Sequence, residues 1–247
     1  MTAVAEPSIY SAPTAPRGRI SNVVRLQFLN LWTFVWTPLC VLGGSWLISL
    51  LINAIINSAD VSGDKVSYGA QAPLWYFLVI GIMAMAYTFP FSQAMTITRR
   101  EFFLGTLGAA AISSAGMALL FVAFGLIEQA TDGYGINAYF GYLEPLWVSG
   151  PLAAGFEFFV FSMLVFIFGF WTATVYRFGG AKVLTALLFA LAFALVGLAA
   201  LVTWQEWWPS VGRWFVDTGA LGLAFWGLAA AAVFSAISYA TLRRLPA

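Results

Sequence analysis

Six long apolar runs, separated by short polar segments, constrain the fold of this chain more than any other sequence feature. A helix needs about 20 apolar residues to cross the hydrocarbon core of a bilayer, and each run is long enough. Of the 247 residues, 62% are hydrophobic and only 9% are charged. A soluble domain carries about a quarter charged residues. We therefore expect an all-α integral membrane protein with six transmembrane helices.

The apolar runs define the predicted spans. These cover approximately residues 31–56, 73–95, 102–127, 152–176, 182–203 and 221–242. Together with the connecting segments they are expected to form a single transmembrane domain over residues 19–247. Residues 1–18 are rich in Ala, Pro and Ser and have no apolar core, so we predict a disordered cytoplasmic tail rather than a signal peptide.

A short amphipathic segment precedes the first span. Between residues 20 and 31, Ile20, Val23, Val24 and Phe28 fall at helical spacing on one face, and polar residues fall mostly on the other. This pattern predicts a helix lying in the membrane interface. The alternative is that the segment is only the polar start of the first span.

The basic residues predict the orientation, because cytoplasmic loops of membrane proteins are enriched in Lys and Arg. Only Lys65 and Arg213 fall outside if the N-terminal segment is cytoplasmic, whereas most acidic residues fall outside. We therefore expect both termini in the cytoplasm and insertion in the cell membrane. The other nine of the 11 basic residues are then cytoplasmic: Arg17, Arg19, Arg25, Arg99, Arg100, Arg177, Lys182, Arg243 and Arg244.

The segment between the fifth and sixth spans, residues 203–219, is unusually rich in tryptophan. Trp204, Trp207, Trp208 and Trp214 surround Pro209. The segment is too polar to span the bilayer and very aromatic for a free loop. It predicts a re-entrant hairpin at the outer interface, and the alternative is an ordinary aromatic belt.

The composition excludes several classes of function. The chain has no His and a single cysteine, Cys40, so neither His-based catalysis nor a multi-cysteine metal site is expected. No glycine-rich loop carries the Lys and Ser/Thr of a nucleotide site. The net charge of +1 gives no case for nucleic-acid binding. No catalytic residue is predicted, and the chain is not expected to be an enzyme by itself.

Glu157 is the one acidic residue placed clearly inside a span. Ionisable groups within a bilayer are costly, and by default they are functional candidates. Glu157 could accept a proton or bind a cation. It could equally be structural, because it falls about one helical turn from the outer interface.

A charged hinge joins the second and third spans. It runs Phe89-Pro-Phe-Ser-Gln-Ala-Met-Thr-Ile-Thr-Arg-Arg-Glu-Phe-Phe-Leu-Gly-Thr106, with its charges at the centre. On the predicted topology the hinge faces the cytoplasm, where a soluble partner could bind it. The simpler interpretation is that Arg99 and Arg100 only anchor the topology.

The order of residues in this hinge resembles the permeases of type-2 ATP-binding-cassette (ABC) exporters. The six spans, the preceding interfacial helix and the re-entrant segment extend the resemblance over nearly the whole chain. It implies a membrane subunit without cofactors of its own, energised by a separate ATPase subunit that binds ATP and Mg²⁺. It also implies a second permease copy, or a different permease, as partner in the lipid bilayer, and a hydrophobic or amphipathic substrate.

The same resemblance implies roles for particular residues. In this family a short coupling helix between the second and third spans docks on the ATPase, and the second and fifth helices face the translocation path. The expected coupling residues are Thr98, Arg99, Arg100, Glu101 and Phe102. The expected path-lining residues are Met83, Met85, Tyr87, Phe189, Phe193 and Val196.

Two other functions compete with an ATP-driven exporter. An ion-coupled secondary transporter could use Glu157, although such folds often contain internal repeats and none is visible here. A membrane scaffold or sensor that transports nothing is the third hypothesis, and the chain shows no soluble signalling domain that would favour it.

Overall fold

The computed structural model describes residues 19–29, 31–59 and 63–244. The predicted tail, residues 1–18, lies outside the described residues. Eight α-helices cover most of the described chain: α1 Arg19–Leu29, α2 Thr37–Ser58, α3 Gln71–Met83, α4 Phe89–Ala94, α5 Arg99–Ala130, α6 Glu144–Trp147, α7 Pro151–Trp204 and α8 Trp208–Arg243. A two-residue parallel pair, β1 Lys65–Val66 and β2 Ala138–Tyr139, joins two of the connecting segments.

The prediction of a helical protein with membrane-length apolar helices is confirmed. Within the described residues, five continuous helical stretches are long and apolar enough to cross a bilayer. They are Trp32–Ser58, Gln71–Ala94, Arg99–Ala130, Pro151–Trp204 and Trp208–Arg243. The predicted fourth and fifth spans both fall within α7, so the helices number five where the apolar runs suggested six.

Glycines interrupt the two longest helices. At Gly180 in α7 the backbone has φ 71° and ψ −172°, which is not a helical conformation. Gly219 interrupts α8 in the same way, with φ 62° and ψ 174°. We call the parts α7a (151–179) and α7b (181–204), and α8a (208–218) and α8b (220–243). A residue with a Cβ rarely adopts these angles, so glycine permits both breaks.

Prolines near the helix starts coincide with widened turns. Pro38 follows a π-helical turn, Trp32–Trp36, and Pro90 follows a second, Ala84–Thr88. Proline lacks an N–H group and its ring crowds the preceding helical turn. A locally wider turn relieves that crowding, so the second apolar run passes through Pro90 without ending there.

The core forms where α7a packs against α3, α5 and α8. The α3–α7a contact is close because each helix places a glycine against the other. A Cβ on Gly81 would strike the backbone of Phe166, and one on Gly169 would strike the backbone of Leu78. The fully buried Phe77, Phe121 and Phe166 belong to this core.

The amphipathic segment forms α1, which packs along α5. Val23 and Gln27, one helical turn apart, are the buried residues of α1, and Gln27 Nε2 donates a hydrogen bond to Thr106 Oγ1 at 2.8 Å. Ile20, predicted on the apolar face, is 44% exposed. The face of α1 that packs on α5 is therefore partly polar, because Thr106 on α5 accepts a hydrogen bond from the buried Gln27.

The polar segments that follow α2 and α5 are folded together. Lys65 Nζ donates to Asn57 Oδ1 at 3.1 Å and to the Ile136 carbonyl at 3.0 Å. Asn53 Nδ2 donates to Ser67 Oγ at 2.7 Å. With the β1–β2 pair, these bonds tie the segment after α2 to the segment after α5. Because both segments lie on the predicted outer side, we call this unit the outer cap.

Candidate functional site

Two regions of the described chain have the chemistry of a functional site. The first is the turn between α4 and α5, residues 95–98, with the start of α5, and the predicted coupling residues Thr98 to Phe102 lie there. The second is a cavity at the start of α7 that contains Glu157. They lie toward opposite ends of α7a, since Phe89, at the start of α4, contacts Arg177, whereas the α7a residues that line the cavity run from Glu157 to Leu164.

A capping box fixes the start of α5. Glu101 N–H donates to Thr98 Oγ1 at 3.3 Å, and Thr98 N–H donates to Glu101 Oε2 at 3.0 Å. A capping box satisfies helix N-terminal N–H groups that would otherwise lack partners. The turn is closed further by Gln93 Nε2, which donates to the Ile97 carbonyl at 3.2 Å. No separate coupling helix lies between residues 95 and 98, since α5 begins directly at Arg99.

Arg99 joins this turn to the end of α8. Its Nη1 donates to the carbonyls of Leu242 at 3.3 Å and Arg243 at 3.0 Å. Terminal carbonyls of a helix lack intrahelical partners and carry partial negative charge, so an arginine stabilises them. Arg100, in contrast, is exposed. The structure thus gives the two arginines different environments, which the sequence alone could not distinguish.

Aromatic contacts join the turn to α7a. Phe102 is fully buried, with its ring centroid 5.2 Å from that of Phe89 and 6.3 Å from that of Phe170. The Arg177 guanidinium lies 5.4 Å from the centroid of the Phe89 ring, in cation–π geometry. The turn is therefore held between α5, α7a and α8.

The predicted path-lining residues separate into two groups. Met85 is completely buried in the core of the single chain, and Met83 is half-buried. Tyr87 on the second span is 71% exposed. The three residues on α7b, Phe189, Phe193 and Val196, are all exposed as well. Met85 therefore packs within the chain, whereas Tyr87 and the three residues on α7b are exposed on its surface.

A cavity of about 510 Å³ opens between α3, α6, α7a and α8b. Glu157 lines it in the second turn of α7a, only 9% exposed, and its Oε1 atom makes no hydrogen bond within the described chain. The surrounding residues are mainly apolar: Ala70, Gln71, Leu74, Trp75, Leu143, Leu146, Phe158, Val160, Phe161, Leu164, Ala220, Leu223, Ala224 and Gly227.

Sequence reasoning identified Glu157 but not the rest of this cavity. Phe161 follows Glu157 by one helical turn, so their shared face could have been inferred from spacing. Trp75 and Gln71 come from α3 and Leu146 from α6, and no sequence pattern places these helices against α7a. The cavity depends on tertiary packing.

A second buried acid, Glu128, lies in the last turn of α5. It is fully buried, and its Oε2 accepts hydrogen bonds from the N–H groups of Phe140, Gly141 and Tyr142 at 3.0, 2.9 and 2.8 Å. The Tyr134 hydroxyl donates to Glu128 Oε1 at 3.2 Å. Both carboxylate oxygens of Glu128 accept hydrogen bonds from the outer cap. Glu128 therefore stabilises the cap, and its carboxylate is not available to a ligand.

Comparison of the chain with protein-family models, curated proteins and solved structures gave no match. Functional conclusions therefore depend on the residues and their geometry.

Proposed function

We propose that this chain is the transmembrane subunit of an ATP-driven exporter, similar to the type-2 ABC permeases. A separate ATPase subunit, which binds ATP and Mg²⁺, would supply the energy, and the substrate would be hydrophobic or amphipathic. The observation that carries the proposal is that the 95–98 turn runs directly into the start of α5, where Arg99 and Phe102 attach it to α8 and α7a. A partner that displaces this turn would move α5, α7a and α8 together.

This attachment favours rigid-body transmission. The capping box, the Arg99 bonds to the α8 carbonyls and the Phe89–Phe102 contact leave the turn little freedom of its own. Motion applied to a stiff connection passes into the packed helices, which is the usual physical route for domain and subunit rearrangements. Exposed Arg100 is then the residue best placed to contact the ATPase, while Arg99 and Glu101 hold the turn in shape.

A six-span topology in the plasma membrane is part of the proposal. A continuous helix of 54 residues would be about 81 Å long, against a hydrocarbon core of about 30 Å. The Gly180 break divides α7 into two parts that are each of membrane length. With Arg177 and Lys182 flanking this break, a cytoplasmic turn at Gly180 would place both termini in the cytoplasm.

The aromatic segment would form the outer re-entrant element. Trp214 in α8a contacts Trp226 in α8b, with ring centroids 6.1 Å apart. Along a straight helix, residues 12 positions apart are separated by about 18 Å. The contact thus supports a fold-back at Gly219, and Trp208 Nε1 donating to Thr203 Oγ1 at 2.9 Å connects α8a to the end of α7b.

A second permease subunit, identical or different, would complete the translocation path. No residue between 181 and 204 is buried, and only Leu184 and Val202 are half-buried. A membrane helix with so few neighbours in its own chain has most of its surface available for another subunit. Phe189, Phe193 and Val196 on α7b, with Tyr87, would then line or border the path.

Charge reversal at Arg100 tests the coupling role. We expect Arg100→Glu to reduce copurification of the ATPase from the native host several-fold, because Arg100 is exposed and makes no hydrogen bond or ion pair within the described chain. Arg213→Glu, a change of the same size on the predicted outer side, is the matched control. Unchanged copurification of an ATPase with Arg100→Glu, or capture of no ATPase by the unaltered chain, would contradict the proposal.

A second candidate function is ion-coupled transport through Glu157, and the unpartnered Oε1 atom in the cavity favours it. An isolated acid in a membrane can carry protons or bind cations. Proton-driven uptake into proteoliposomes containing only this chain, abolished by Glu157→Gln, would support this function over the first. ATP-dependent transport that persists in Glu157→Gln would support the ABC-type mechanism.

A further inference from the structure

We propose that the Glu157 cavity binds a lipophilic organic cation, such as an aromatic or alkyl ammonium or phosphonium ion. The cavity volume of about 510 Å³ is suitable for a drug-sized molecule. Four helices contribute to its wall, so the site depends on the folded chain and not on one loop. The occupant is inferred from the charge and the lining, as follows.

The carboxyl group in the cavity has no partner within the described chain. Glu157 Oε1 is buried and accepts no hydrogen bond. The two basic residues on the predicted outer side are engaged elsewhere, Lys65 with Asn57 and Arg213 with the Pro209 carbonyl. A buried carboxylate without a partner is unfavourable, and a cationic ligand would remove that cost.

The lining favours an organic cation over a hydrated inorganic ion. Apart from Glu157, Gln71 is the only residue of the wall with a carboxylate, amide or hydroxyl side chain. Na⁺ or Ca²⁺ would need several more oxygen ligands than these two side chains provide. A cation with an apolar exterior would bury that exterior against Leu74, Leu146 and Leu164.

Two aromatic rings strengthen this preference. Trp75 from α3 and Phe161 from α7a both line the cavity, and their centroids lie 6.0 Å apart with nearly perpendicular rings. Faces of aromatic rings attract organic cations, and tryptophan does so most strongly. Phe161 lies one helical turn from Glu157 on the same face of α7a, so a ligand in the cavity can contact both the Phe161 ring and the Glu157 carboxylate.

As a substrate site, the cavity rests on the proposed transport function. Ligand binding itself needs neither ATP nor an ATPase, so it can be measured on this chain alone. If binding fails while Arg100→Glu still disrupts ATPase capture, only the substrate class is wrong. If cations bind but no ATPase is captured, the exporter assignment fails and the binding site remains.

The test is equilibrium dialysis of radiolabelled tetraphenylphosphonium against the full-length chain in lipid nanodiscs, with empty nanodiscs as the background. Tetraphenylborate, an anion of nearly the same shape, reports purely apolar binding. We expect the chain to bind the cation in preference to the anion, and Glu157→Gln to weaken cation binding by at least about tenfold. Glu144→Gln, an exposed acid beside the cavity that does not line it, should leave binding unchanged.

A cavity-filling variant keeps the proposal testable if Glu157→Gln does not fold. Ala220→Phe retains the carboxylate but occupies the space, so we expect weaker cation binding. Equal binding of cation and anion would show an apolar lipid pocket. Equal binding of the two ions would overturn the proposal. Wild-type cation affinity in both variants, or no binding by the unaltered chain, would also overturn it.

Discussion

At the scale of single residues, two buried acids have opposite environments. Glu128 receives hydrogen bonds from three backbone N–H groups and the Tyr134 hydroxyl, whereas Glu157 Oε1 receives none. Hydrogen-bonded burial makes a carboxylate part of the structure, and burial without partners leaves it available to a ligand. The same residue type thus has a structural role in the outer cap and a candidate binding role in α7a.

Replacing Glu128 by Ala is expected to destabilise the protein. It would leave the buried N–H groups of Phe140 and Gly141 without an acceptor, at about 1–3 kcal/mol for each. Thermal unfolding in detergent should show a large decrease in midpoint temperature. Glu144→Ala, at an exposed acid in the same region, should change the midpoint little. A Glu128→Ala variant as stable as wild type would show that water or rearrangement replaces the carboxylate.

Tyr134 should ionise at unusually high pH. Desolvation by burial raises the pKa of Tyr134 to about 12, and Glu128 acts in the same direction, whereas the hydrogen bond from Trp46 opposes it. Unfolded tyrosine has a pKa near 10. The stabilising contribution of the protonated hydroxyl is therefore complete below about pH 10 and is lost as the pH rises toward 12.

Absorbance at 295 nm, titrated for wild type and Tyr134→Phe, isolates this ionisation. The difference curve should contain one phenol with a midpoint near 12. A midpoint near 10 would show that Tyr134 is exposed to water and that the network with Glu128 does not form.

At the scale of helices, small residues determine how closely α3 and α7a pack. Small side chains let membrane helices approach, since no hydrophobic effect drives them together in lipid. In the α3–α7a pair the close contacts are at Gly81 and Gly169, each isolated among large residues in the sequence. The glycines of α5 differ among themselves, since a Cβ on Gly105 would strike Val23, whereas Gly116 has no atom within 4 Å of a Cβ position.

Gly81→Ala is expected to destabilise the bundle, because its Cβ would strike the Phe166 carbonyl and backbone cannot give way as a side chain can. We expect a loss of about 1–3 kcal/mol, the usual cost of overpacking. Gly116→Ala is the matched control and should be neutral or slightly stabilising. The measurement is the midpoint temperature of thermal unfolding of both variants in the same detergent, and we expect a lower midpoint for Gly81→Ala. Equal midpoints would refute the close α3–α7a contact.

At the scale of the whole molecule, the break at Gly180 decides the topology. If α7 turns there, Lys182 lies at the cytoplasmic surface and α8a lies on the other side of the membrane. If α7 continued through the break, Lys182 would be near the middle of the bilayer. The number of spans thus depends on a single residue whose backbone conformation suits glycine.

Cysteine labelling distinguishes these arrangements, because the chain has one native cysteine, Cys40, that can be replaced by Ser. In that background we expect Asp217→Cys to react with a membrane-impermeant maleimide in intact cells, and Lys182→Cys to react only after permeabilisation. Phe189→Cys, within α7b, is the lipid-embedded control. A Lys182→Cys variant that stays unreactive after permeabilisation would exclude a turn at Gly180.

The positions of the helices along the chain were largely predictable from the sequence, whereas the packing of helices and loops against one another was not. Apolar runs are local signals, so most predicted span ends lie within about three residues of the observed helix ends. The fourth and fifth spans merge because the five residues expected between them, 177–181, continue the helix apart from the single break at Gly180. The polar outer segments gave no periodic signal, and their folding into a cap escaped prediction.

The sequence by itself determined that this chain is a helical membrane protein, where its apolar segments lie, and that Glu157 and the hinge at Arg99 and Arg100 merit attention. Tertiary structure decided which acid is satisfied, which arginine supports α8 and which remains exposed, and which helices enclose the cavity. The physical reason is that hydropathy and spacing act along the chain, whereas hydrogen-bond satisfaction and cavity formation depend on residues brought together from distant segments.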